Sequence, residues 1–597
     1  MLRKERDVFF QIYRRFRRKK NILGESAKKD MAESLKNFQE ALLAKDLVLA
    51  KKYREQASSL LTKYLPKTML EKGIDVCVAL LFALVLATVV RQTWFELYEI
   101  PTGSMRPTLE EKDRVLVSKT AFGINTPLKV EHFYFDPTLV ARNAIVTFTS
   151  ENLDLADTDT RYFYLFPGKK QFVKRLIGKP GDLLYFYGGK IYGLDASGED
   201  ISEVLEPQAL AKIDHIPFIR FEGQVTFLGA PVGGIYQAAV VHQMGEAVAI
   251  LDAAKGGGLL PTLYNSQLPK EYSSLWGMEN FSMVRLLTRH EAMLEGEALC
   301  EDAPLYLKLV HHPRLNHIRL VESFEGKMRP GFLYETSFIP IQKEEMKKLF
   351  SNLYTARFSI AQGIITQYGA DKLQGLMSVK FTDIPDGTYE FYYGKAYKVG
   401  WGGILELLEE SHPIYAQTEE RLMVWFNLGM GFHPSYLPSS RSGLIPHRYA
   451  YFRNGDFYVM GQPLWNQGER ILERFIQKEI EKSVKEDYLP LIDLGPPTKE
   501  KIAQYGLKIP EGQYLVLGDN HAMSGDSRIF GPIPQENLRG ALSWIFWPYG
   551  SRFGAPYQPN TPFVTLPHVV IFGLVGGICV TWFLIHRYRT RLPIKEF

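Results

Sequence analysis

Cysteine is scarce in this sequence: three occur among 597 residues. Cys77 and Cys579 sit inside apolar runs, which leaves Cys300 alone in the long middle region, so no intramolecular disulfide can staple that region in any compartment. A strong excess of one charge is missing too. The net charge of +5 is small for this length, and the basic residues gather at the two ends, a pattern that suits membrane orientation and not nucleic-acid binding across a domain. What is present is apolar and aromatic content, 46% and 13%, enough for sizeable cores and more than one domain.

Two apolar stretches reach the ~20 residues a helix needs to cross a bilayer. The first, 74–93, is uncharged from Val76 to Val90 and ends beside Trp94 and Phe95; the second, 566–585, contains Gly573, Gly576 and Gly577. Arg14, Arg15, Arg17, Arg18, Lys19 and Lys20 precede the first, and Arg587, Arg589, Arg591 and Lys595 follow the second. The positive-inside rule therefore puts segments 1–73 and 586–597 in the cytoplasm and everything between the spans on the other side. More than seventy residues precede the first span and no small-residue cleavage site follows it, so it reads as an uncleaved anchor. Ala79, Ala83 and Ala87 on one span, and Gly573 and Gly577 on the other, form small-residue faces expected to pack together.

Between 27 and 65, apolar residues at helical spacing (Leu35, Phe38, Leu42, Leu49, Tyr53, Leu60, Tyr64) predict a helix or helical pair. Residues 94–200 turn to short β-rich runs, 114–117, 144–149 and 172–177 among them, and a second β-rich part covers 449–560, where Asn454-Gly455 signals a hairpin. The stretch 201–448, with a glycine-rich loop at 255–258 and helical pieces expected at 344–362 and 405–410, reads as a domain inserted into a β-fold.

Three segments carry chemistry. In Ile100-Pro101-Thr102-Gly103-Ser104-Met105-Arg106-Pro107-Thr108-Leu109, Ser104 sits on a constrained turn that can expose its hydroxyl. A serine needs a base to become a nucleophile, and no histidine falls in a motif with a companion acid, so lysine is the alternative. In Gln171-Phe172-Val173-Lys174-Arg175-Leu176-Ile177-Gly178-Lys179-Pro180-Gly181-Asp182, strand alternation puts Phe172, Lys174 and Leu176 on one face. A lysine among apolar neighbours loses hydration, and its pKa falls from ~10.4 toward the working pH. Taken alone, the segment also fits a surface-edge lysine. The third, 518–532, gathers Asp519, Asn520, Ser524, Asp526, Ser527 and Arg528 in one loop, a polar network that could brace a site. Its oxygen donors also fit a metal-binding turn, though without EF-hand spacing.

In order, these segments resemble the motif boxes of bacterial signal peptidase I: Ser-Met-x-Pro-Thr, then Lys-Arg-x-x-Gly-x-Pro-Gly-Asp, then Gly-Asp-Asn with Ser-x-Asp-Ser-Arg. The resemblance, which covers about 75–200 and 450–550, implies a mainly β catalytic domain of that family's fold, with a large α+β insertion and two transmembrane helices. It implies Ser104 as acyl nucleophile and Lys174 as general base, Thr102 with the Ser104 backbone N–H as the oxyanion hole, and Ser524 as the hydroxyl orienting the lysine. Arg175, Asp519, Asp526 and Arg528 match the supporting network. Tyr98, Ile100, Pro101, Met105, Leu109, Phe172 and Val173 match shallow pockets for the small −1 and −3 side chains of a leader peptide. Signal peptides of exported preproteins and the lipid bilayer are the implied partners, with no nucleic acid, cofactor or metal, and the implied site is the bacterial cytoplasmic (inner) membrane.

The sequence departs from the family twice. Lys174 and Asp519 are far apart in the chain, and His521-Ala522-Met523 stands where Arg-Asp-Asn is usual, which puts in doubt any salt bridge through those side chains. An alternative of another class is a membrane-tethered binding or assembly protein with a degenerate protease fold. His311, His312 and His317, with Glu322 downstream, invite a zinc reading, but their spacing fits no familiar catalytic motif and a surface cluster of strand and loop is expected.

Overall fold

The amphipathic N-terminal segments close into helices because each has an apolar stripe to bury. α1 (Leu2–Lys19), α2 (Glu25–Leu43) and α3 (Leu47–Tyr64) share a core of Phe9, Phe10, Ile12, Phe16, Met31, Leu35, Phe38, Ala50 and Ala57. Asp46 caps α3 by accepting from the Val48 and Leu49 amides. The helical pair expected over 27–65 is therefore α2 and α3, whereas the basic run Arg14 to Lys20 turns out to end a helix of its own, with Phe9, Ile12 and Phe16 facing inward.

A Thr68/Glu71 capping box starts α4 (Met69–Thr93), and a second long helix covers Leu566–Arg589. Both are long and apolar enough to cross a membrane by length and composition. The expected packing of their small-residue faces does not occur at the glycines, since no atom of another element lies within 4 Å of a Cβ built at Gly573, Gly576 or Gly577. Trp94, at the end of the first helix, and Phe572 of the second meet edge to face with ring centroids 5.5 Å apart. In the last turn of the second helix His586 bonds Asp7 at 3.1 Å, and beyond that helix Ile594 exchanges hydrogen bonds with the Gln39 side chain, its amide donating at 2.6 Å. Residues 1–94 and 563–597 thus make one unit, and Phe95–Pro562 make the other.

This computed structural model describes residues 2–153, 155, 158–162, 166–217, 223–260, 272–296, 303–322, 327–355, 357–367, 380–428, 448–485, 488–560, 562 and 564–594; Cys300 and Lys595 lie outside them. The second unit is built on a seven-stranded antiparallel sheet in the order Phe95–Glu99, Arg114–Ser118, Leu538–Trp547, Ile145–Thr149, Gln171–Gly178, Gln513–Leu517, Ile533–Pro534. Ile145–Thr149 is buried at every position, as befits a β-branched and aromatic strand with neighbours on both sides, and Arg114–Ser118 alternates. The three β-rich runs expected from sequence are three of these strands.

Asn454 and Gly455 both have positive φ, 54° and 84°, as a two-residue hairpin turn demands between Arg448–Arg453 and Asp456–Val459. Arg448–Arg453 pairs on its other side with Ser282–Thr288, which joins the hairpin to Leu305–Glu322 and Met328–Ile341 in a six-stranded sheet. A five-stranded sheet holds Phe358–Ala361 and Gly387–Tyr392. One apolar core runs from Ile177, Leu184 and Phe186 into Trp276, Met283, Leu307 and Trp425.

Two helical expectations are corrected. Among the described residues of 344–362 the helix is confined to Lys343–Ser351, because Phe358 and Ile360 alternate into the core as a strand. Leu405–Leu407 is a strand paired with Lys395–Val399, favoured by the chain reversal at Gly402 and Gly403 just before it.

Candidate active site

Ser104 sits in the short 3-10 turn Gly103–Met105, half-buried, two residues after the exposed, extended Thr102. Lys174 projects from the centre of Gln171–Gly178, where the register sets it opposite Val146, with Phe172 opposite Phe148. Its side chain is buried, and Lys174 Nζ donates to Ser104 Oγ at 2.7 Å. Burial pushes the ammonium down from 10.5 to about 8, against the opposing pull of Asp526 and Asp519; Arg528 adds to the lowering. A buried amine that loses its proton near pH 8 and lies in hydrogen-bond reach of a hydroxyl can take that hydroxyl's proton.

The strand and the turn are braced from the 518–528 loop. Arg175 forms a fork with Asp519, Nε to Oδ1 and Nη2 to Oδ2, both at 2.7 Å, and Arg175 Nη1 donates to the Asn143 carbonyl at 2.7 Å. The Thr108 hydroxyl donates to Asp519 and accepts from Arg175 Nη2 at 3.3 Å. Asp526 accepts from Arg528 Nε at 2.8 Å and Nη2 at 2.7 Å, and from the Gly518 amide at 3.0 Å. Gly518 has no room for a side chain: an added Cβ would lie 2.2 Å from Ser524 Oγ and 2.4 Å from the Ser104 carbonyl oxygen. Ser524 is therefore beside the nucleophile turn, fully buried, and its hydroxyl makes no hydrogen bond among the described residues.

The residues expected to line small pockets divide. Ile100, Met105 and Leu109 are buried in one cluster with Val115, Val117, Ile145, Leu542 and Ile545, and Tyr98 and Val173 pack against it. Phe172 points to the opposite face of its strand, stacked on Phe148 at 5.8 Å, and Pro101 is exposed.

Several participants are seen in the sequence only in part or not at all. Asn520, expected as one member of a bracing polar network, clamps the nucleophile turn itself: its amide donates to the Ser104 carbonyl at 3.0 Å and its Nδ2 to the Gly103 carbonyl at 3.1 Å. Thr108 stands in the Ser-Met-x-Pro-Thr box, which was its only signal. At the departure 521–523, His521 bonds His215 at 3.0 Å and accepts from the Ile216 amide at 3.1 Å. Burial, then neighbouring positive charge, holds both rings well below the ordinary imidazole value, His215 at about 3. Two bonded imidazole rings that burial keeps from protonating thus stand at this departure.

His311 and His312 are buried, not on the surface as expected, because they belong to the long strand Leu305–Glu322 and bond one another at 2.7 Å; His311 also bonds Ser337 at 3.0 Å. Among the described residues, no group of three or more His, Cys, Asp or Glu is disposed to hold a metal ion.

The family described as signal peptidase, peptidase S26 matches residues 73–214 and 450–547. Over 52 residues the chain is 49% identical to signal peptidase IB of Staphylococcus aureus, covering 9% of this chain and 27% of that protein. Over 68 residues it is 43% identical to a probable signal peptidase I-2 of Synechocystis, covering 11% and 28%. The chain thus spans about a quarter of the length of the relatives it matches.

Proposed function

We propose that this chain, which matches the signal peptidase family over 73–214 and 450–547, is a membrane-bound serine endopeptidase, a hydrolase, that removes signal peptides from exported preproteins. The observation that carries this reading is the 2.7 Å contact between a buried, easily deprotonated Lys174 and the Ser104 hydroxyl. With Nζ neutral, the hydroxyl donates to it, and Ser104 Oγ attacks the scissile carbonyl as its proton passes to Nζ. The oxyanion meets the Thr102 hydroxyl and the Ser104 N–H. The tetrahedral intermediate then expels the amine, which takes the proton back from Nζ, and water, activated by the same lysine, hydrolyses the acyl ester to free Ser104.

Arg175, Asp519, Asp526 and Arg528 hold the strand and loop in place, and Ser524 orients the lysine once substrate has closed the site. The cluster of Ile100, Met105, Leu109, Tyr98 and Val173 takes the small −1 and −3 side chains, whereas Phe172, on the other face of its strand, does not line it.

α4 and Leu566–Arg589 cross the inner membrane with both termini cytoplasmic and 95–562 on the extracytoplasmic side. Two spans return a chain to the side it left, and the bonds from Asp7 to His586 and from Gln39 to Ile594 support that topology. The matched segments leave 215–449 unmatched between them, which supports an insertion there, while 201–214 falls inside the first match. Purified wild type, Ser104→Ala and Lys174→Ala, incubated with a preprotein carrying a small-x-small site, test the reading. Both variants should leave the preprotein uncut, and cleavage by either at the wild-type rate would overturn the assignment.

A further inference from the structure

A second group of buried charges lies against the Ser104 turn, where a Cβ added at Gly103 would stand 2.9 Å from Arg106 Nε and 3.0 Å from Glu111 Oε1. Arg106, two residues past Ser104, donates from Nε and Nη2 to Glu111 Oε2 at 2.9 and 2.7 Å, and from Nη2 to Glu390 Oε2 at 2.8 Å. Glu390 lies 284 residues further along, on Gly387–Tyr392, and is 1% exposed. The same Oε2 accepts from Arg357 Nε at 2.7 Å, and Arg357 Nη1 donates to the Glu111 carbonyl at 3.0 Å. Arg552 extends the group, reaching Glu110 at 2.9 Å through Nη1 and Asp113 at 2.9 Å through Nη2.

Glu390 is thus a carboxylate shared by two buried guanidinium groups, one next to the nucleophile and one that also holds the backbone at Glu111. Burial alone would raise its pKa, but Arg106 and then Arg357 outweigh that and hold it below the usual carboxylate range. Removing one member of such a group leaves an unmatched charge without water, so its neighbours must shift. The neighbour with the shortest path to the chemistry is Arg106, and an ångström at a reacting atom is enough to cost ~100-fold in rate.

We infer that Glu390 and Arg357 are positioning residues for Ser104: through Arg106 and Glu111 they set the pitch of the Gly103–Met105 turn and with it the direction of the serine hydroxyl. The long middle stretch therefore takes part in the reaction geometry. This inference rests on Ser104 being the nucleophile. It also separates two effects, because Lys174 is tuned by burial and by Asp526, Asp519 and Arg528, none of which touches Glu390.

The test uses the full-length chain in detergent micelles with a preprotein substrate, comparing wild type with Ser104→Ala, Glu390→Gln, Glu390→Asp, Arg357→Gln and the Glu390→Gln/Arg357→Gln double variant. Glu390→Gln should lower kcat by about 10- to 100-fold, with KM within about threefold and the acid limb of the pH profile unmoved. Glu390→Asp, which keeps the charge, should recover part of the rate. The double variant should lose little more than either single one, because both changes break one unit. Wild-type kcat in Glu390→Gln, a loss carried by KM alone, or single losses that multiply in the double variant would overturn the inference. If Glu390→Gln fails to fold, Arg357→Lys reads the same unit, since lysine keeps the charge but lacks the planar fork, and full activity there overturns it as well. Ser104→Ala keeps the outcomes apart: a variant that still cleaves removes the nucleophile assignment itself, whereas a dead Ser104→Ala beside a fully active Glu390→Gln removes only the positioning role.

Discussion

Replacing Lys174 with methionine should abolish cleavage and yet stabilise the protein near neutral pH. The lysine is 3% exposed, and its folded value of about 8 lies below the 10.5 of a free side chain. Between those two values the unfolded chain binds more protons than the folded one, so this group makes stability rise with pH across the window. Below pH 8 both states carry the proton, and the fold bears the full cost of a charge held away from water. The gap between 10.5 and about 8, at ~1.4 kcal/mol per pH unit, is about 3 kcal/mol. Methionine has nearly the same length and no charge, and it gives up one hydrogen bond to Ser104 worth ~1 kcal/mol. The net gain is about 2 kcal/mol at pH 7 and should shrink as pH approaches 10. Denaturant unfolding of both full-length chains in the same detergent at pH 7 and pH 10 measures this, since other titrating groups cancel in the comparison. A variant less stable than wild type at pH 7, or an equal difference at both pH values, would refute the reasoning.

Asp519→Asn removes the charge that Arg175 holds in a fork with both side chains about 1% exposed, which should cost about 3 kcal/mol of stability. Because Asp519 also raises the Lys174 value, the acid limb of kcat/KM in that variant should move to lower pH even as the maximum falls; a limb that moves up contradicts it. Gly518→Ala, whose Cβ would collide with Ser524 Oγ and the Ser104 carbonyl, should lose ~100-fold in kcat with its circular dichroism spectrum unchanged, and a rate within twofold of wild type would show that the turn tolerates the intrusion.

The three segments that meet around Ser104 were legible because each joins a reactive group to the local geometry it needs: a serine on a turn, a lysine on an apolar strand face, an acid and arginine loop beside glycine. Their neighbours were not. Glu390 to Arg106 and His215 to His521 are pairings across hundreds of residues, and a single buried carboxylate or imidazole leaves no periodic trace in its own segment. Local patterns misled where they were short. Leu405 to Glu410 has leucines and glutamates at helical spacing, but pairing with Lys395–Val399 decides its form. The dense positive charge of Arg14 to Lys20 hid the fact that Phe9, Ile12 and Phe16 give α1 a buried stripe. His311 and His312 read as exposed imidazoles in the sequence, but the strand Leu305–Glu322 carries them inward. At the glycines of Leu566–Arg589, small size permits a close approach that is not made among the described residues; the ring contact there is between Trp94 and Phe572.

The most direct measurement is kcat/KM for preprotein cleavage as a function of pH, because it reports ionisations of the free enzyme. A base at Lys174 gives an acid limb of unit slope with a midpoint near 8, so that the rate falls about tenfold for each pH unit below it. A rate that stays level down through pH 6, or a midpoint at the ~6.5 of an ordinary histidine, would mean that the amine does not take the serine proton.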